Sequence, residues 1–116
     1  MNLCARKRSQ LTLDEIEAIF NRIEAFDFNG SKIRAVADRG ETWIVFADIC
    51  KALGYQNPSH ESKRIAPEEK CKLDIGLKNT LVVCVNFRGL YSFALLSGKG
   101  QAMELYRWAA KEIFGR

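Results

Sequence analysis

The residues that could carry chemistry lie mostly between Lys51 and Arg88. His60 is the sole histidine, set in the polar run Ser59-His60-Glu61-Ser62-Lys63-Arg64. Nucleophilic catalysis needs a base beside its nucleophile, and that base would have to be His60. An exposed helix residue or a nucleic-acid contact suits His60 better. Glu68 and Glu69 are adjacent, so their carboxylates do not face one another as a general acid/base pair must. Gly98-Lys99-Gly100 lacks both the preceding strand and the spacing of a phosphate loop. Cys4, Cys50, Cys71 and Cys84 contain no C-x-x-C pair, so a structural zinc site is not expected. Cys50 and Cys84 read as small apolar core residues, reduced in a cytosolic setting. No enzyme and no cofactor is expected.

What remains is a set of short polar donors and cations. Asn57, Ser59, His60, Ser62, Lys63 and Arg64 can bond phosphates or base edges in a major groove. Lys51 before them, and Lys70 and Lys72 after them, can add phosphate contacts. The competing reading is a solvated helix face. The charge balance leans the same way. Net charge is +4 and the pI about 9.0. Residues 1–50 hold seven Lys/Arg against eight Asp/Glu, whereas residues 51–116 hold eleven against six. An acidic partner is favoured, and nucleic acid is the commonest.

These residues need a scaffold, and 116 residues with 47% apolar and 28% charged content make one ordinary globular domain. The longest apolar run, Leu81–Val85, is far short of the ~20 residues of a membrane span. Met1–Arg8 does not read as a secretory signal, so a cytoplasmic protein with no membrane partner is expected. Residues 1–10 read as a flexible basic arm in which Arg6, Lys7 and Arg8 can track phosphates. Thr12-Leu13-Asp14-Glu15 is a capping box, and Ile16, Ile19, Phe20 and Ile23 follow at helical spacing, which predicts a helix over 13–24.

The period then falls to two. Phe26 and Phe28, the Asn29-Gly30 turn, Ile33 and Val36, the Asp38–Glu41 turn and Trp43–Phe46 predict an antiparallel meander. Asp48 is expected to cap a short helix ended by left-handed Gly54, and Pro58 to start a second over 58–65. Two short helices around a glycine turn make a helix-turn-helix-like pair. Lys72–Gly76 and Leu81–Asn86 read as a hairpin turning at Lys78-Asn79. Gly89–Leu96 reads as a helix buried on most sides. Ala102, Leu105, Trp108, Ala109 and Ile113 define a final amphipathic helix over 100–114. The fold class is α+β, a small antiparallel sheet with short helices.

Three stretches resemble one family. Trp43–Pro58, with its Leu53-Gly54-Tyr55-Gln56-Asn57, is similar to the signature of the BRO family N-terminal domain. Asn86-Phe87-Arg88-Gly89-Leu90-Tyr91-Ser92 resembles the family's Asn-Glu-x-Gly-Leu-Tyr-x-Leu. Ser97, Ala102 and Trp108 match a third motif. The resemblance covers about three quarters of the chain, from Phe26 to Ile113, so residues 26–116 are taken as the domain and 11–25 as a helix outside it.

The resemblance implies a DNA-binding module of phage antirepressors and large DNA viruses, relieving repression of phage genes through double-stranded DNA. The alternative is a protein-interaction module that grips a phage or host repressor without touching DNA. Departures are Ile44 and Leu105 where aromatics are usual, Phe87 in place of Glu, and an end at Arg116 where the family continues. The chain is then either shortened or a natural one-domain member.

Trp43, Trp108, Leu53, Leu90 and Tyr91 are expected in the core, and Gly54 and Gly89 to serve backbone geometry. The candidate DNA contacts are therefore Lys51, Asn57, Ser59, His60, Lys63, Arg64, Lys70, Lys72 and Arg88, with Arg107 and Lys111 behind them. Residues 11–25 are expected to pack on the domain or to form a homodimer.

Overall fold

The computed structural model describes Thr12, residues 23–76 and residues 80–115. The expected basic arm, most of the first helix and the Lys78-Asn79 turn lie outside the described residues. Ile23 and Glu24, expected as that helix's end, belong instead to a strand.

The first three strands form a meander, β1 (Ile23–Phe28), β2 (Ser31–Asp38) and β3 (Glu41–Val45). Both turns carry positive φ at each central residue, 49° and 89° at Asn29-Gly30 and 51° and 77° at Arg39-Gly40. That is the type I′ geometry, whose twist matches the strands it joins. Phe46 does not extend β3 as expected. It opens helix α1 (Phe46–Leu53), because its ring is wanted in the core, 5.0 Å from the Phe93 ring.

The second helix is shorter than its expected span. One α turn, α2 (Pro58–Glu61), passes into a 3₁₀ turn, Ser62–Arg64, and Ile65 is already extended. Ser62 Oγ donates to the Ser59 carbonyl at 3.0 Å, a local bond that competes with helix propagation. A second 3₁₀ turn, Pro67–Glu69, leads into β4 (Lys70–Asp74), two residues earlier than expected.

Strand β5 (Leu81–Val85) returns beside β3, which gives the antiparallel order β1-β2-β3-β5-β4. Helices α3 (Phe87–Ser97) and α4 (Gly100–Glu112) complete the chain. Asn86, expected at a strand end, is the α3 cap; its Oδ1 accepts from Gly89 N at 2.9 Å.

The sheet carries apolar residues on both faces. Phe28, Ile33, Ala35, Ile44 and Val85 pack with Ile49, Leu53, Leu90, Phe93, Leu105 and Ala109 of the helices. Val36, Trp43, Val45, Leu73 and Cys84 form a second cluster on the other face. Trp43, Leu53 and Leu90 are buried as expected, and Trp108 is half-buried against Phe28 and Phe26. Tyr91 is not a core residue. It is 43% exposed, and Leu95 and Leu96 beside it are also open to solvent, so α3 is buried along one side only.

Candidate nucleic-acid interface

The cationic residues are held around the connection from α1 to β4. In α1 the apolar spacing buries Phe46, Ile49, Cys50 and Leu53, which turns Lys51 outward. Asp48 is not the helix cap. Its carboxylate accepts from the backbone N, Nε and Nη2 of Arg34, each at 2.9 Å. The hydrogen bonds from the guanidinium raise the Arg34 pKa, against the opposing effect of burial. The clamp fixes the start of α1 to the end of β2 that β3 no longer covers.

The helix ends at Gly54, φ 82°, as its position requires. Lys99 reaches across from the α3–α4 loop. Its Nζ donates to the Leu53 carbonyl at 2.8 Å and sits 4.3 Å from the Tyr55 ring centroid. A cation at a helix C-terminus and over an aromatic face is favourable on both counts.

Three of the expected site residues serve the connection itself. Asn57 caps α2, its Oδ1 accepting from His60 N at 3.1 Å. Arg64 pairs with Glu61 at 3.1 Å and donates from Nη2 to the Leu96 carbonyl at 2.7 Å, which ties the 3₁₀ turn to the end of α3. Lys70 Nζ donates to the Ser62 carbonyl at 2.6 Å, tying the same turn to β4.

The remaining candidates face solvent. Ser59 and His60 are exposed on α2, whose single turn offers few side chains for reading bases. Lys51, Lys63, Lys72 and Arg88 are exposed and make no ion pair among the described residues. They come from α1, the first 3₁₀ turn, β4 and α3. Lys63 lies between Ser62 and Arg64, the two residues bonded to β4 and α3. Arg88 precedes Gly89, where a Cβ would lie 2.7 Å from the Glu69 carbonyl, so the start of α3 is pressed against the second 3₁₀ turn. Arg107 and Lys111 are exposed on α4.

Exposed cations can hold an anionic polymer by charge, and the bonds from Arg64 and Lys70 tie the first 3₁₀ turn to α3 and β4. Residues 32–115 match the model of the BRO family, N-terminal domain. The chain belongs to that family. No curated protein and no solved structure matches it. The Bro-N domain is a regulatory, non-enzymatic family, associated with phage antirepressor-like and DNA-binding regulators. The match begins at Lys32 within β2, so β1 precedes the matched Bro-N stretch. No described helix is long and apolar enough to cross a membrane.

Sequence reasoning missed Arg34, Lys99 and the true role of Asp48. Arg34 and Lys99 meet partners 14 and 46 residues away, and no local spacing announces contacts of that range.

Proposed function

We propose that this Bro-N domain is the non-catalytic DNA-binding module of a phage or prophage antirepressor-type regulator, acting in the bacterial cytoplasm to relieve repression of phage genes. The observation that carries the reading is the set of exposed cations Lys51, Lys63, Lys72 and Arg88, without ion-pair partners among the described residues. Double-stranded DNA is the partner this surface suits. Affinity comes mainly from phosphates, and Ser59 and His60 supply what base preference there is. Asn57, Arg64 and Lys70 brace the connection that carries Ser59, His60 and Lys63.

Fluorescence anisotropy with random duplex DNA, titrated with salt, tests this. Binding weakens linearly in log–log form, with a slope of about −0.9 per phosphate neutralised. Replacing Lys51, Lys63, Lys72 and Arg88 together by Ala lowers affinity at least tenfold and flattens that slope by about 3–4. Unchanged binding by the folded quadruple variant sinks the site. The pair Lys63→Ala and Lys72→Ala is more informative than Lys63→Ala with Arg64→Ala, since Arg64→Ala also removes two bonds that hold the fold.

A second reading rests on a different surface. Phe87, Tyr91, Leu95 and Leu96 are exposed on α3; the Phe87 ring stacks on Tyr106 of α4, and the Tyr91 ring meets Tyr106 at a tilt of 54°. An apolar seam of this kind suits a protein partner such as a repressor. Nuclease-insensitive co-purification with a regulator, lost in Tyr91→Asp with Leu95→Asp, supports that reading.

A further inference from the structure

The α3–α4 loop is bonded to the chain on both sides of α2. Arg64, just after α2, donates to the Leu96 carbonyl at 2.7 Å. Three residues further along the loop, Lys99 donates to the Leu53 carbonyl, just before α2, at 2.8 Å. Between these two points the loop fixes itself. Ser97 Oγ donates to the Ala94 carbonyl at 3.0 Å and accepts from Lys99 N at 3.2 Å, and Gly98 turns with φ 71°. The loop is therefore anchored beside the stretch from Leu53 to Arg64, which carries Ser59, His60 and Lys63.

Lys99 is held unlike the other cations of this region. Arg64 is countered by Glu61, and Lys70 gives its ammonium to the Ser62 carbonyl from a half-buried position. Lys99 is exposed and makes no ion pair among the described residues. Its partners, the Leu53 carbonyl and the Tyr55 ring, are neutral, so its charge is not cancelled. An ammonium has three N–H groups, and the carbonyl takes one of them. The side chain is already fixed, so meeting an anion costs it little further rotamer entropy.

We propose that Lys99 is a phosphate contact of the DNA surface, a fixed cation held where the chain passes from Lys51 to α2. This rests on the DNA-binding reading above and adds the α3–α4 loop to it. Lys99 then does two things at once. It closes the end of α1 onto the loop, and it offers the remaining N–H groups and the whole charge of its ammonium to the nucleic-acid backbone.

The test uses the full chain and random duplex DNA, with anisotropy titrated against salt. Lys99→Met removes the charge and keeps an apolar side chain of similar length. It is expected to weaken binding about threefold at about 0.1 M salt and to flatten the log–log slope by about 0.9, the value of one phosphate. Lys99→Arg keeps the charge and restores both. Lys32→Gln removes the same charge from the start of β2, where Lys32 is exposed, and leaves the slope unchanged. A strut alone gives a different result: the urea midpoint of Lys99→Met falls while its salt slope stays that of the intact chain, and this overturns the proposal. It is also overturned if Lys32→Gln flattens the slope as much, since net charge then accounts for the effect. An intact chain that binds no duplex DNA at low salt overturns the DNA-binding reading, and the role of Lys99 with it.

Discussion

Asp48 takes three hydrogen bonds from a single strand residue. Removing it leaves the Arg34 backbone N–H and guanidinium half-buried without their acceptor, so Asp48→Ala is expected to cost about 2–3 kcal/mol. The urea midpoint reads this loss, at unchanged slope if the fold survives. An aspartate ahead of an apolar helical run reads as a cap because capping is the local use of a carboxylate. The acceptor's real partner is set by tertiary approach, which the sequence does not display.

Cys50 follows simpler rules and was legible. Burial pushes its thiol up to about 12, with nearby Glu61 adding to the effect. Unfolded, the thiol titrates near 9.0, so between these values the unfolded chain binds fewer protons. Stability is therefore expected to fall as pH rises above about 9, a slope that Cys50→Ala removes. In the native protein an alkylating pulse should mark half-buried Cys71 before buried Cys50 and Cys84, read by mass spectrometry of the resolved peptides.

At the scale of elements, what local chemistry dictates was readable and what packing dictates was not. Asn29-Gly30 and the Gly54 stop announce themselves because each demands a backbone conformation few residues adopt. The burial of α3 does not. Its apolar run looks enclosed, yet Tyr91, Leu95 and Leu96 face outward, because α4 and β5 cover a single side of it. The short α2 was equally hidden, since a Ser–carbonyl bond and the ties from Arg64 and Lys70 decide its length. Gly89 marks a close approach between elements. A methyl there lies 2.7 Å from the Glu69 carbonyl and 3.2 Å from Val85 Cβ, so Gly89→Ala must push α3 away from the second 3₁₀ turn, and from β5 beside it. A loss of about 1–3 kcal/mol in chemical denaturation is the expected outcome.

Across the whole molecule, the candidate cations were legible as residue types, whereas the division of labour among them was not. Lys63 and Arg64 are neighbours in sequence and both are exposed, yet Lys63 makes no ion pair among the described residues whereas Arg64 is bonded to Glu61 and to the end of α3. The α+β class followed from the change of period along the chain. The strand order did not, because β5 enters between β3 and β4. Native-state hydrogen exchange is expected to protect β3 and β5 most and the edge strand β1 less, and equal protection across all five strands contradicts this.

That insertion also bears on synthesis. Ile44 and Val45 of β3 wait for Val85 and Cys84, about 40 residues further on. At roughly 5–20 residues per second, a growing chain carries the open edge of β3 for about 2–8 seconds before its partner emerges. During that interval a nascent meander can pair with any other extended segment nearby. The ribosome and its attendant chaperones, rather than the finished fold, must guard that edge.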